Sequence, residues 1–167
     1  MDILISFLVF CQALGALVGA FTAIWSELAY IRAMRDGTIN TAERTHLRVI
    51  GNGLRFGMSL LLLASFGLVV VAYILHTTPQ PASTTSYWTS IALASLIIGI
   101  SWALSRGKIS FALGSAAVFT AWWFLTYLMF GWLPPFSFGS AVALYVVLTA
   151  IFYALFHYIR LFALHKS

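Results

Sequence analysis

Apolar positions in this chain run almost unbroken for 20 residues or so at a time, and polar positions fall between the runs instead of alternating within them. A helix that crosses a bilayer needs about 20 mainly apolar residues. Five stretches meet that length, at about residues 3–25, 56–75, 87–104, 109–132 and 138–159. The pattern predicts an all-α fold, a polytopic transmembrane bundle of five helices occupying residues 1–167 as a single integral membrane domain. Between the first two runs, at about 32–52, the chain becomes polar and amphipathic. Asp36-Gly37 is a turn signal there, and Asn40 with Glu43 has the spacing of a capping box. The first helix is therefore expected to continue to about Met34 and another to start near Thr41, so that the first and second helices extend beyond the headgroups as a hairpin. Pro79, Pro81, Pro134 and Pro135 are expected to stop the helices at the opposite end, because proline cannot continue the backbone ladder.

Composition and charge sharpen this picture. Hydrophobic residues make up 62% of the chain, charged residues 8%, and the mean hydropathy is +0.97, far from the soluble range. Arg32, Arg35, Arg44, Arg48 and Arg55 lie between spans one and two, Arg106 and Lys108 between spans three and four, and Arg160 and Lys166 at the end of span five or beyond it. The other two connections carry no Lys or Arg. The positive-inside rule then puts the N-terminus out and the C-terminus in. Trp25 and Trp102 fall near the inner boundary on this frame, and Tyr87, Trp88 and Trp132 near the outer one. The net charge of +5 is divided among short segments without a dense basic block, which argues against nucleic acid and for anionic lipid headgroups. The first apolar run lacks a basic leader and exceeds a signal core, so it reads as a mature span. Cys11, the only cysteine, is expected to be a packing residue.

Lipid tails give no hydrophobic gain for helix association, so close packing depends on small side chains. Span one offers Gln12, Gly15, Gly19, Thr22 and Ser26 at three-four spacing. Span two offers Gly53, Gly57, Ala64 and Gly67, span three Ala92, Ser95 and Gly99, span four Ser110, Gly114, Ala117 and Ala121, and span five Ala143, Ala150 and Ala154. These rows are expected to pack within the chain; the competing reading is an interface in a homo-oligomer or a larger membrane complex. Gly51-Asn52-Gly53 is read as a close crossing rather than a hinge. At least one of Trp122 and Trp123, in the middle of span four, should point into the bundle to find a partner for its N–H.

Ionisable residues mark the candidate site. Glu27 and Arg55 lie at the inner ends of their spans, and His157 falls on the face that carries Ala150 and Ala154. The three form a candidate polar cluster at the inner boundary, because ionisable groups in a membrane bundle often mark a pathway; snorkelling to the headgroups is the plainer account. Asp36, Glu43 and His46 form a second group in the hairpin. The stretch from Asp36 to Glu43 has the spacing of the later half of a calcium loop, but Arg32 and Met34 stand where its first carboxylates belong. Glu43 and His46 have a Glu-x-x-His spacing without the further carboxylates of a dinuclear metal site. A haem held by two histidines would need a second imidazole level with His157, and the nearest candidate is His46. Neither cofactor nor metal is expected.

Ser26-Glu27, the Arg-Asp-Gly-x-Ile-x-x-x-Glu connection from Arg35 to Glu43, and Gly57 to Ser65 resemble a group of small, uncharacterised bacterial multipass membrane proteins. The resemblance covers about a third of the chain, implies no known activity, and adds weight to Glu27, Asp36 and Glu43 as a group; the charge and apolar pattern are those expected of a protein of the bacterial inner (cytoplasmic) membrane. This chain has Phe66 where that pattern has glycine. With no nucleophile elbow, Walker loop or dinucleotide-binding pattern, the expected role is that of a non-catalytic membrane subunit or interaction protein. The alternatives are a small-solute or ion channel or transporter with its inner mouth at Glu27, Arg55 and His157, and a haem- or metal-binding redox protein.

Overall fold

The computed structural model describes residues 2–36, 39–76, 80–133 and 137–165. Among them the chain is helical, with α1 Asp2–Asp36, α2 Ile39–Gly53, a π-helical turn Leu54–Met58, α3 Ser59–Ile74, a 3-10 turn Pro81–Ser83, α4 Thr85–Ser105, α5 Phe111–Met129 and α6 Phe138–His165. Five helical stretches are long and apolar enough to cross a membrane: Ile3–Met34, Ala42–Ile74, Thr85–Ser105, Phe111–Met129 and Phe138–Phe162. The 35 residues of α1 make a rod of about 52 Å at 1.5 Å per residue, longer than a hydrocarbon core of about 30 Å. α2, the π turn and α3 run on as one continuous helix, antiparallel to α1.

Helix ends follow local chemistry. Thr84 caps α4 by accepting from the Tyr87 amide. α4 and α5 both end on a left-handed glycine, Gly107 (φ 65°) and Gly131 (φ 67°). Lys108 N–H donates to the Ala103 carbonyl and Gly107 N–H to that of Leu104, and Trp132 and Gly131 repeat the pattern on Tyr127 and Leu128. These paired bonds satisfy the last carbonyls of each helix. Glycine, not proline, thus ends α5, three residues before the expected end at 132. The expected stops at Pro79, Pro134 and Pro135, and the turn at Gly37-Thr38, lie outside the described residues.

α5 is the hub, packed on α1, α4 and α6, while α1 also packs on α2 and α3. Small residues set how closely the helices approach. A Cβ on Gly15 would sit 2.7 Å from the Gly57 carbonyl oxygen and 2.8 Å from the Leu61 amide, and one on Gly57 would sit 2.8 Å from the Gly15 carbonyl oxygen. Gly19 makes room for the Trp122 ring, Gly53 for Thr22, and Gly114 for Leu104 and Ile109. Gly51-Asn52-Gly53 accordingly crosses α1 through Gly53, while Gly51 meets nothing within 4 Å. The Trp122 side chain is fully buried, and Gln12 donates to Ser65 Oγ at 2.6 Å across the α1–α3 contact.

Two small-residue rows point the other way from the sequence expectation. Ala92, Ser95 and Gly99 are exposed on α4, and a Cβ on Gly99 would touch nothing within 4 Å. Ala143, Ala150 and Ala154 are likewise exposed on α6. The physical reason is complementarity. α5 turns Ala117 and the Phe119 ring towards α6, and rings fill the space beside both better than a second small row, which would leave a void. α6 supplies Tyr145, Phe152 and Phe156 instead. The rings of Phe152 and Phe156 both lie 4.9 Å from that of Phe119, and Tyr145 Oη donates to the Ala117 carbonyl at 3.0 Å.

Candidate functional site

Four helices converge at the end of the bundle that carries the α1–α2 connection, the α4–α5 connection and the end of α6; below it is called the basic end. Helical spacing sets up each contribution. Ala16, Ala20, Ala23, Glu27 and Tyr30 follow a three-four step along one buried stripe of α1, and Ala42, His46, Ile50 and Gly53 do the same on α2. Phe111 and Ser115 are one turn apart at the start of α5, as are Phe156 and Arg160 on α6.

Arg160 closes the junction. Its Nη2 donates to Glu27 Oε1 at 3.0 Å, to Glu27 Oε2 at 2.8 Å and to Ser115 Oγ at 2.8 Å. The guanidinium carbon lies 4.6 Å from the Tyr30 ring centroid, 5.1 Å from Phe111 and 5.7 Å from Phe156, so the cation is walled by aromatic faces. Tyr30 and Phe111 stack at 4.8 Å. His46 Nδ1 stands 3.6 Å from Glu27 Oε1, and its ring meets Phe111 at 4.9 Å with a T-shaped geometry. Glu27, His46 and Arg160 are 6%, 1% and 8% exposed. A charge pair this dry survives only with close geometry and added hydrogen bonds, and both are present. Both ring nitrogens of His46 and Nε of Arg160 are buried without a hydrogen-bond partner.

The structure thus gives Glu27 a partner other than those expected for the inner polar cluster. Arg55 is exposed on the π turn, just past the point where Gly53 meets Thr22, about one and a half helical turns along α1 from Glu27. His157 is exposed too, stacked on Tyr153 at 6.3 Å. Its face is the outward one because the aromatic side of α6 packs on α5. Of the hairpin group, His46 joins Glu27, Glu43 is half-buried one turn earlier, and the side chain of Asp36 lies outside the described residues. His46 and His157 have different surroundings, one inside the junction and the other on the outer surface, so they do not face one another across a common space. Among the described residues no three His, Cys, Asp or Glu side chains gather as a metal site.

The role of Arg160 had a signal in the sequence: it continues the row Tyr145, Phe152, Phe156 at helical spacing. An arginine at the end of an aromatic stripe is a cation placed among rings. Comparison of the chain with protein-family models, with curated proteins and with solved structures finds no match.

Proposed function

We propose that the protein is a non-catalytic membrane subunit that holds another transmembrane helix against the outward face of α6. The observation that carries this reading is the uneven burial of the spans. Only 6% of the most apolar stretch of α6 is buried within the molecule, against 28–61% for the other four. The exposed face is patterned as well. Ala143, Val147, Ala150, Ala154, His157 and Leu161 alternate steps of four and three, and all are exposed. That is the spacing of a helix–helix seam, with small residues where backbones come close. A lone imidazole turned towards lipid is costly, and a neighbouring helix can hydrogen-bond it. Arg160, bound to Glu27 and Ser115 from a neighbouring face of α6, keeps the seam turned outward.

The proposed setting is a bacterial inner membrane with the basic end in the cytoplasm, supported by the confinement of Lys and Arg to that end. Transport through a single chain has less support. Trp122 fills the space beside Gly19, and the apolar grooves around α6, of about 330 to 480 Å³, run between it and α4 or between it and α5 and open sideways. Purification in mild detergent with mass determination tests the proposal. The expected particle exceeds one chain, and Ala150→Trp returns it to one chain without unfolding it. A wild-type protein that is strictly monomeric and free of any co-purifying polypeptide overturns the reading.

A further inference from the structure

A groove of about 540 Å³ lies on the outer side of the α1–α2 hairpin, away from the Glu27 junction, lined by Trp25, Leu28, Ala29, Ile31, Arg32, Ala33 and Thr45. Its position along the helix axis can be read from α5. Phe111 opens α5 and stacks on Tyr30, and the cations of the α4–α5 connection, Arg106 and Lys108, lie 5.6 and 4.9 Å from the Trp102 ring centroid. A tryptophan with cations over it is what a membrane–water boundary selects; Leu104 packs level with Gly114, and Arg160 bonds both Ser115 and Glu27, so Trp102 puts the boundary close to the level of Glu27. Trp25 then lies about 3 Å to the apolar side of that level and Arg32 about 7 Å to the aqueous side, at 1.5 Å per residue.

The groove therefore changes character along its length. At the apolar end Trp25 and Leu28 are 61% and 52% exposed, a surface suited to an acyl chain and a glycerol backbone. At the aqueous end Arg32 forms part of the wall. Arg44 and Arg48 flank Thr45 on the exposed side of α2. Among the described residues none of these three guanidiniums is in an ion pair, whereas Arg160 is. Planar guanidinium groups bind phosphate with two donors each. We propose that this groove is a binding site for one anionic phospholipid, with its phosphate held by Arg32 and Arg44 and its chains laid over Trp25 and Leu28. The site is independent of the α6 seam and of any partner there.

The test titrates the detergent-solubilised full chain with dioleoyl phosphatidylglycerol, dioleoyl phosphatidylcholine and soluble glycerol 3-phosphate, with adducts counted by native mass spectrometry. The expected result is a saturable phosphatidylglycerol adduct about thirtyfold tighter than the phosphatidylcholine one, as two surface cations would give, and no glycerol phosphate adduct. Arg32→Gln with Arg44→Gln removes the preference. Arg106→Gln with Lys108→Gln, which deletes two cations at the same boundary, leaves it intact. Equal binding of the two lipids, a glycerol phosphate adduct as strong as the lipid one, or an equal loss in both double variants overturns the assignment. All four positions are on the surface, so the variants keep the fold.

Discussion

Replacing Arg160 by Met separates the ionic junction from ordinary packing. The change deletes three hydrogen bonds of 2.8–3.0 Å and leaves the Glu27 carboxylate 6% exposed, with His46 Nδ1 at 3.6 Å as its nearest remaining charged or titratable neighbour. Breaking a buried pair on one side costs about 3–5 kcal/mol, because the surviving charge is stranded. Met recovers part of the contact with Tyr30, Phe111 and Phe156, since a thioether packs well on rings. Glu27→Met strands the guanidinium in the same way and costs a similar amount. The double variant strands nothing and fills the space with apolar groups, so it returns to within about 1–2 kcal/mol of the wild type. The assay is a double-mutant cycle, with unfolding followed by circular dichroism as denaturing detergent is titrated into mild micelles. Coupling of at least about 2 kcal/mol is expected; additivity within about 0.5 kcal/mol would refute the contact.

Other substitutions read other parts of the bundle. Gly15→Ala pushes a methyl group into backbone atoms 2.7 and 2.8 Å away, which cannot be relieved by a rotamer change, so it costs about 1–3 kcal/mol; Gly99→Ala, in open space, costs nothing measurable in the same detergent-unfolding assay. Trp122→Phe keeps a ring against Gly19 and removes an unpartnered buried N–H, so it stays within about 1 kcal/mol of the wild type, while Trp122→Ala loses about 3–5 kcal/mol. Gln12→Leu removes the 2.6 Å bond to Ser65 and costs only about 0.6 kcal/mol, the average for an intramembrane hydrogen bond.

The number of spans and the length of the α1–α2 hairpin were legible because both follow from apolar run length and turn chemistry. α1 reaches Asp36 and α2 starts at Ile39, each within two residues of where Met34 and Thr41 had placed those ends. The glycines of the first two spans could be read for the same reason: a long antiparallel pair must meet along its small residues. The faces of α4 and α6 could not. A small-residue row marks a contact surface without saying whether the chain itself or something else covers it, and α6 packs on α5 through rings instead, Phe152 and Phe156 on Phe119 and Tyr145 on the Ala117 carbonyl. Glu27 stood out as an ionisable group near the boundary, yet its partner lies 133 residues away. Grouping it with Arg55 and His157 rested only on their nearness to the inner boundary, whereas the stripe ending in Phe156 and Arg160 was the more informative pattern. His46 was marked for its spacing from Glu43; its place beside Glu27 follows from the three-four row Ala42, His46, Ile50, which turns it towards α1.

The α6 seam is the claim on which the functional account turns, and site-specific photo-cross-linking in intact membranes reaches it most directly. A photoreactive residue at Ala150, in the middle of the outward face, is compared with one at Leu63, which is 71% exposed on α3. The account predicts a polypeptide adduct from position 150 and none from position 63. Silence at 150, or equal adducts from both positions, would contradict it.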